Sequence, residues 1–287
     1  MDKIIFRPET ILLMIFFSIG VVTPLLVLMF GLCRLGISSS IALAFFCVFS
    51  LLPFLKGLNG VLKYDIGLGK LHEEVTEALG LLPHQIAVNR IREVNEIAER
   101  AIKEYRKDVL SYVLRILSNL GIKSAKGGFW YLTYQIVSIF KNIGVKSVDK
   151  RFEDSYLTNG IIMIVMQSIN SKVGGDFKSA VLIEAINGLR DIGVKAAEKG
   201  LKDSTLAAGN GLVFVGKESG NKNALLALWC LGAAATKYMS LYVDDVIRNI
   251  EDLKETISGD WLQSAERDCI DEYPDLKDAF EEFKKQI

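Results

Sequence analysis

Few residues in this chain of 287 could do chemistry. There are two histidines, His72 and His84. His72-Glu73-Glu74-Val75-Thr76 opens like a zinc-protease helix, but no second histidine follows one turn later and no cysteine lies near enough to complete a tetrahedral set. Both histidines read as ordinary polar residues. Gly211-Leu-Val-Phe-Val-Gly216-Lys217-Glu218 has the Gly-x4-Gly-Lys spacing of a phosphate loop. Glu218, however, stands where a magnesium-holding hydroxyl belongs, and Leu-Val-Phe-Val is poor material for a loop whose amides face phosphate. Gly67-Leu-Gly69-Lys70 is weaker still, and the acid pairs Glu73/Glu74 and Asp244/Asp245 lack a partner base. No catalytic, cofactor-binding or metal-binding residue is assigned, and no enzyme activity is expected. The four cysteines, Cys33, Cys47, Cys230 and Cys269, form no close pair along the chain and no metal-ligand spacing. Disulfide stapling is therefore not expected, and a reducing compartment fits.

Lysine is the one chemical type that recurs in a pattern. Lys123, Lys146 and Lys195 each follow a glycine by two residues, and Lys150 and Lys199 lie one helical turn beyond the latter two. Lys126 and Lys222 hold nearly the same place in their own segments. Stacked units would set these seven in a row along one edge, a basic stripe for an acidic protein partner or an anionic lipid. Near an anionic leaflet each lysine contributes about 1 kcal/mol, so four give about 4 kcal/mol. That is only millimolar affinity, and a membrane tether would have to supply the rest as effective concentration. The competing reading is solubilising charge, with Asp149 and Glu198 as local partners. Nucleic acid is disfavoured, because the lysines lack interleaved arginines and stacking aromatics.

A repeated phrase positions these lysines. Leu189-Arg-Asp-Ile-Gly-Val-Lys-Ala-Ala-Glu-Lys-Gly200 is its fullest form, Phe140–Lys150 a near copy, Leu117–Lys126 a third and Val94–Ala101 a fainter one. Ala98, Gly121 and Gly144 follow at intervals of 23 residues, and Gly193 and Gly216 are again 23 apart. A fixed period marks repeats that bury their apolar faces against one another. From Ile86 to Leu120 the apolar residues keep a 3.6-residue period, and Glu96–Arg100 and Glu99–Lys103 are helix-supporting pairs. Thereafter the same grammar predicts an apolar helix ending near Ile-Gly, a tight turn with the glycine left-handed, and a short lysine-bearing helix. The strand-prone runs Gly160–Met166 and Leu212–Val215 lack hairpin alternation and read as buried helix faces.

The Leu-x-x-Ile-Gly phrase closing an apolar helix, followed by small residues and another helix, resembles the repeats of HEAT and armadillo proteins over roughly residues 86–242. The resemblance implies a right-handed helical stack used for binding rather than catalysis. The 23-residue period is about half of a typical repeat of that kind.

The flanks differ from the repeats. Thr10–Cys33 is 24 residues without a charge and Leu35–Leu55 another 21, each long enough to span a bilayer of about 30 Å as a helix. The short link at Arg34-Leu35-Gly36 makes them an antiparallel hairpin over residues 1–57, with spans of about 10–33 and 37–55. Lys3, Arg7, Lys56 and Lys63 outside the turn put both termini in the cytoplasm. Neither span carries an ionisable side chain, which favours an anchor over a pore. Residues 58–84 read as an amphipathic juxtamembrane linker.

The net charge of zero hides a split. Residues 85–243 carry 22 basic against 14 acidic side chains, and residues 244–287 six against 14. The acidic segment reads as a helical cap. The whole is expected to be all-α, a two-helix transmembrane hairpin followed by an α-solenoid of short helical repeats. The expected role is a membrane-anchored cytoplasmic scaffold or adaptor, possible homo-oligomerisation included. The alternative is a subunit of an oligomeric channel or transport complex.

Overall fold

A computed structural model describes residues 84–152, 155–171, 176–239, 242–256 and 262–287. The expected membrane spans, and the linker up to residue 83, lie outside the described residues. The chain divides into two units, Met1–Gly69 and Lys70–Ile287, and the described helices all belong to the second. Among the described residues there are ten α-helices and no strand. None of those helices is long and apolar enough to cross a membrane.

In chain order the helices are α1 (His84–Lys103), α2 (Lys107–Lys126), α3 (Trp130–Asp149), α4 (Ser155–Asn170) and α5 (Asp176–Glu198). There follow α6 (Lys202–Ser219), α7 (Lys222–Tyr238), α8 (Val243–Lys254), α9 (Leu262–Glu272), a 3-10 turn at Pro274–Leu276, and α10 (Lys277–Lys284). Each of α1 to α7 packs on its successor, and each of α1 to α6 packs also on the helix after that. Thus α1, α3, α5 and α7 pack in succession, as do α2, α4, α6 and α8, while α9 and α10 close on α7. The strand-prone runs lie inside α4 and α6 and are helical as expected, but Met163 and Met166 of the first run are exposed, because that run occupies more than the buried face of α4.

The 3.6-residue period from Ile86 to Leu120 does not give one helix. It is broken at Glu104–Arg106, where Tyr105 turns left-handed at φ 54°. The apolar register runs through the turn because α1 and α2 each bury a stripe in the same core. The break itself is part of the repeat. The left-handed residues Tyr105, Gly128, Arg151 and Gly200 lie seven residues after Ala98, Gly121, Gly144 and Gly193. At each turn the next amide reaches back to a carbonyl five residues earlier: Arg106 to Ala101, Phe129 to Ser124, Phe152 to Ser147 and Leu201 to Ala196, at 2.8 to 2.9 Å. These are four copies of one helix-ending motif of the Schellman type. The 23-residue period is therefore one helix and its turn, and two periods make a helical hairpin.

This corrects the expected role of the phrase glycines. Gly121, Gly144, Gly193 and Gly216 do not end helices; they lie inside α2, α3, α5 and α6, and the lysines after them belong to the same helix. Their reason is close approach. A Cβ on Gly144 would run into Ile192, on Gly121 into Ile164, on Gly216 into Leu253, and on Gly193 into Ala208 and Leu231. In each case an isoleucine or leucine of a helix two places along the chain seats in the notch. Gly232 of α7 continues the pattern by receiving the Phe283 ring. Helix α7 lies deepest, with all residues from Ala224 to Ala235 buried, the mark of a helix enclosed on every side.

Candidate functional site

The seven candidate lysines do not form one row. Helix α2 ends beside the start of α3, and α3 is 20 residues long, about 30 Å. Lys123 and Lys126, at the end of α2, are therefore at the opposite end of α3 from Lys146 and Lys150. Lys222, on the first turn of α7, is the third outlier, separated from Lys195 and Lys199 by the length of α6. The reason is that successive helices alternate in direction, so copies one period apart face opposite ends and copies two periods apart share one.

Lys146, Lys150, Lys195 and Lys199 do meet at the C-terminal ends of α3 and α5. Lys146 Nζ is 2.7 Å from Glu99, Lys195 Nζ is 2.8 Å from Glu198 and 3.3 Å from Asp149, and Lys199 Nζ is 3.4 Å from the same Asp149 oxygen. Lys150 lies over the Tyr105 ring at 5.7 Å, and that ring contacts Phe152 at 5.6 Å. The Glu198 hydrogen bond holds Lys195 above the usual lysine range, with burial opposing and Asp149 assisting. The Lys146 hydrogen bond holds Glu99 below the usual carboxylate range. Three lysines are thus matched by three carboxylates, each pair surface-exposed and worth about 0–1 kcal/mol.

Between α3 and α5 runs a groove of about 510 Å3. Lys141, Lys146 and Lys195 line it together with Asp149, Asp191 and Glu198, and Tyr238, Tyr273 and Asp275 close one end. Asp191 is its most connected residue. One carboxylate oxygen accepts from Arg190 Nε at 2.9 Å and from the Tyr273 hydroxyl at 2.6 Å; the other meets Lys141 Nζ at 2.7 Å. Burial, and then the Asp191 charge, push the Tyr273 hydroxyl above its ordinary range. Burial alone would lower Arg190, but the Asp191 charge, Tyr273 and the Asp191 hydrogen bond together outweigh it and the guanidinium stays charged.

Tyr273 belongs to the acidic C-terminal segment, which docks largely through apolar side chains. Phe280 and Phe283 are fully buried against Trp229, with ring centroids at 6.0 and 5.5 Å. At the rim Asp275 pairs with Lys237 and Tyr238, Asp252 with Lys217, and Glu272 with Arg190 at 3.8 Å. The segment does pack on the basic repeats, but these partner cations are distinct from the recurring lysines.

The phosphate-loop spacing Gly211–Glu218 is helical throughout, inside α6. A Cβ on Gly211 would meet Leu189 and Ile162, and one on Gly216 would meet Leu253, so helix packing accounts for both glycines. His72 lies outside the described residues, and His84 opens α1. Asp244 and Asp245 occupy the first turn of α8, where carboxylates complement the helix dipole. Sequence reasoning missed two features, the Asp191 hub and a pair of buried thiols. Cys230 on α7 and Cys269 on α9 are neighbours although 39 residues separate them. Separations of that size carry no local signal in the sequence. No protein-family model, curated protein or solved structure matches the chain.

Proposed function

We propose that the chain is a membrane-anchored scaffold at the cytoplasmic face. In this reading the N-terminal spans are the tether, and the alternating helices are an α-solenoid of the HEAT and armadillo kind. The groove between α3 and α5 then holds a segment of a partner protein. The observation that carries the proposal is the groove itself: a concave, solvent-open channel where two copies of the phrase meet, rimmed by long charged side chains. Solenoids bind through such inter-repeat surfaces. The lysine pairing refines the partner. Three lysines face four carboxylates along the groove, so a purely acidic chain or an anionic bilayer gains little there. A segment bearing both charges can exchange with the weak resident pairs at little cost.

The test uses the full-length chain in native membranes with a photocrosslinking residue at Asn142, which is exposed within the groove, or at exposed Met163 on α4. A discrete adduct from Asn142 that is absent from Met163 and lost with Lys146→Glu plus Lys195→Glu is expected. No adduct from Asn142, or the same adduct from both positions, sinks the groove as the binding site.

A further inference from the structure

Cys230 and Cys269 sit on different helices, each 1 % exposed, with their sulfurs 2.8 Å apart. Both are free thiols. A lone buried cysteine is usually an inert, small apolar residue. Here a second thiol lies at contact distance, and bonding, at about 2.05 Å, asks less than about 1 Å of further approach. A cavity of about 130 Å3 reaches both cysteines and is walled by Asn187, Arg190, Asn223 and Asp268. That space admits several molecules the size of water, so hydrogen peroxide fits it.

We propose that Cys230 and Cys269 form a reversible oxidation site, a dithiol that hydrogen peroxide converts to a disulfide joining α7 to α9. The Cys230 thiolate attacks one peroxide oxygen; the S–O bond forms as O–O breaks, and the departing hydroxide takes up the thiol proton to leave as water. The sulfur of Cys269 then displaces the sulfenic hydroxyl; S–S forms as S–O breaks, and the Cys269 proton leaves with that hydroxyl as a second water. Two thiols and one peroxide become one disulfide and two waters. The Arg190 guanidinium in the same cavity favours the Cys230 thiolate. The Cys269 thiol and burial oppose it and raise Cys230, so the reaction is slow and answers sustained rather than brief exposure. In a reducing compartment such a disulfide is transient, as sensing disulfides are.

The consequence is mechanical. A bond between positions 39 apart in sequence would fasten the C-terminal segment, with Tyr273 and Asp275, to α7 and so hold the closed end of the groove in place. Its loop length predicts an upward Tm shift on the order of 10 °C.

The experiment treats the full-length chain with graded hydrogen peroxide, maps peptides without reduction, and follows Tm. A linked peptide joining Cys230 to Cys269 is expected, with a Tm rise that dithiothreitol reverses. Cys230→Ala and Cys269→Ala should each abolish the rise. Mapping the unaltered chain decides the matter even where a variant fails to fold, and it separates this pair from Cys33 and Cys47. The proposal is overturned if both thiols stay alkylatable after denaturation at peroxide levels that oxidise a free thiol. It is equally overturned if one becomes a sulfinic acid with no link formed.

Discussion

The glycines of the phrase and the left-handed turn residues are separable by substitution, because one set is governed by sterics and the other by backbone conformation. Alanine at an interior helix position normally gains about 1 kcal/mol over glycine. At Gly144 the new Cβ would overlap Ile192, so Gly144→Ala is expected to lose about 1–3 kcal/mol by overpacking. In an Ile192→Ala background the same change should become stabilising, a reversal readable from urea midpoints. Gly200 has nothing within 4 Å but holds φ +70°; Gly200→Ala should cost about 1 kcal/mol in either background. Ser147 is a second residue-scale test. Its hydroxyl is fully buried and finds no hydrogen-bond partner among the described residues. The equivalent places in two other copies hold Ala101 and Ala196. Ser147→Ala is expected to stabilise by about 1 kcal/mol, since an unsatisfied buried hydroxyl is removed. A loss of stability in the same urea assay would mean that the hydroxyl has a partner.

Among elements, the acidic segment is held by an apolar face and a polar latch, and pH should act on the latch. The pKa of Tyr273 is raised from its ordinary value of 10.0 by burial and by Asp191. A raised pKa contributes stability that is complete below the unfolded value and lost as pH climbs above it. Detachment of α9 and α10 is therefore expected above pH 10.0, followed by tyrosinate absorbance and near-UV circular dichroism. Tyr273→Phe should remove that transition and cost about 1 kcal/mol. At the acid end, Asp275 is held below the usual carboxylate range by Lys237 and then Tyr238. Its contribution is complete at neutral pH and declines as pH falls through the carboxylate range. The pair is solvent-exposed, so the decline is small.

For the whole molecule, packing on near neighbours in the chain makes stability local. Phe283 is fully buried and fills the notch at Gly232. Phe283→Ala should cost about 3–5 kcal/mol, felt at α7, α9 and α10 and not at α1 and α2. Hydrogen exchange of the full-length chain checks this: amides of α1 and α2 keep their protection while those of α9 and α10 lose it. Uniform loss along the chain would show a single cooperative core instead of a stack.

By itself the sequence determined the helical class and the 23-residue period, because apolar spacing is a local property of the chain. The phrase was legible at Ala98, Gly121, Gly144 and Gly193. Its meaning was not, since whether a glycine ends a helix or admits a neighbour depends on what Ile192 or Leu231 does from another helix. Tertiary structure also decided the fate of the lysines. Period alone cannot show that successive helices point opposite ways, which sends Lys123, Lys126 and Lys222 to one end and Lys146, Lys150, Lys195 and Lys199 to the other. Nor can it bring Tyr273 to Asp191, 82 residues away, or Cys230 to Cys269. Such contacts arise from burial shared between distant segments, and only the folded chain sets which segments share it.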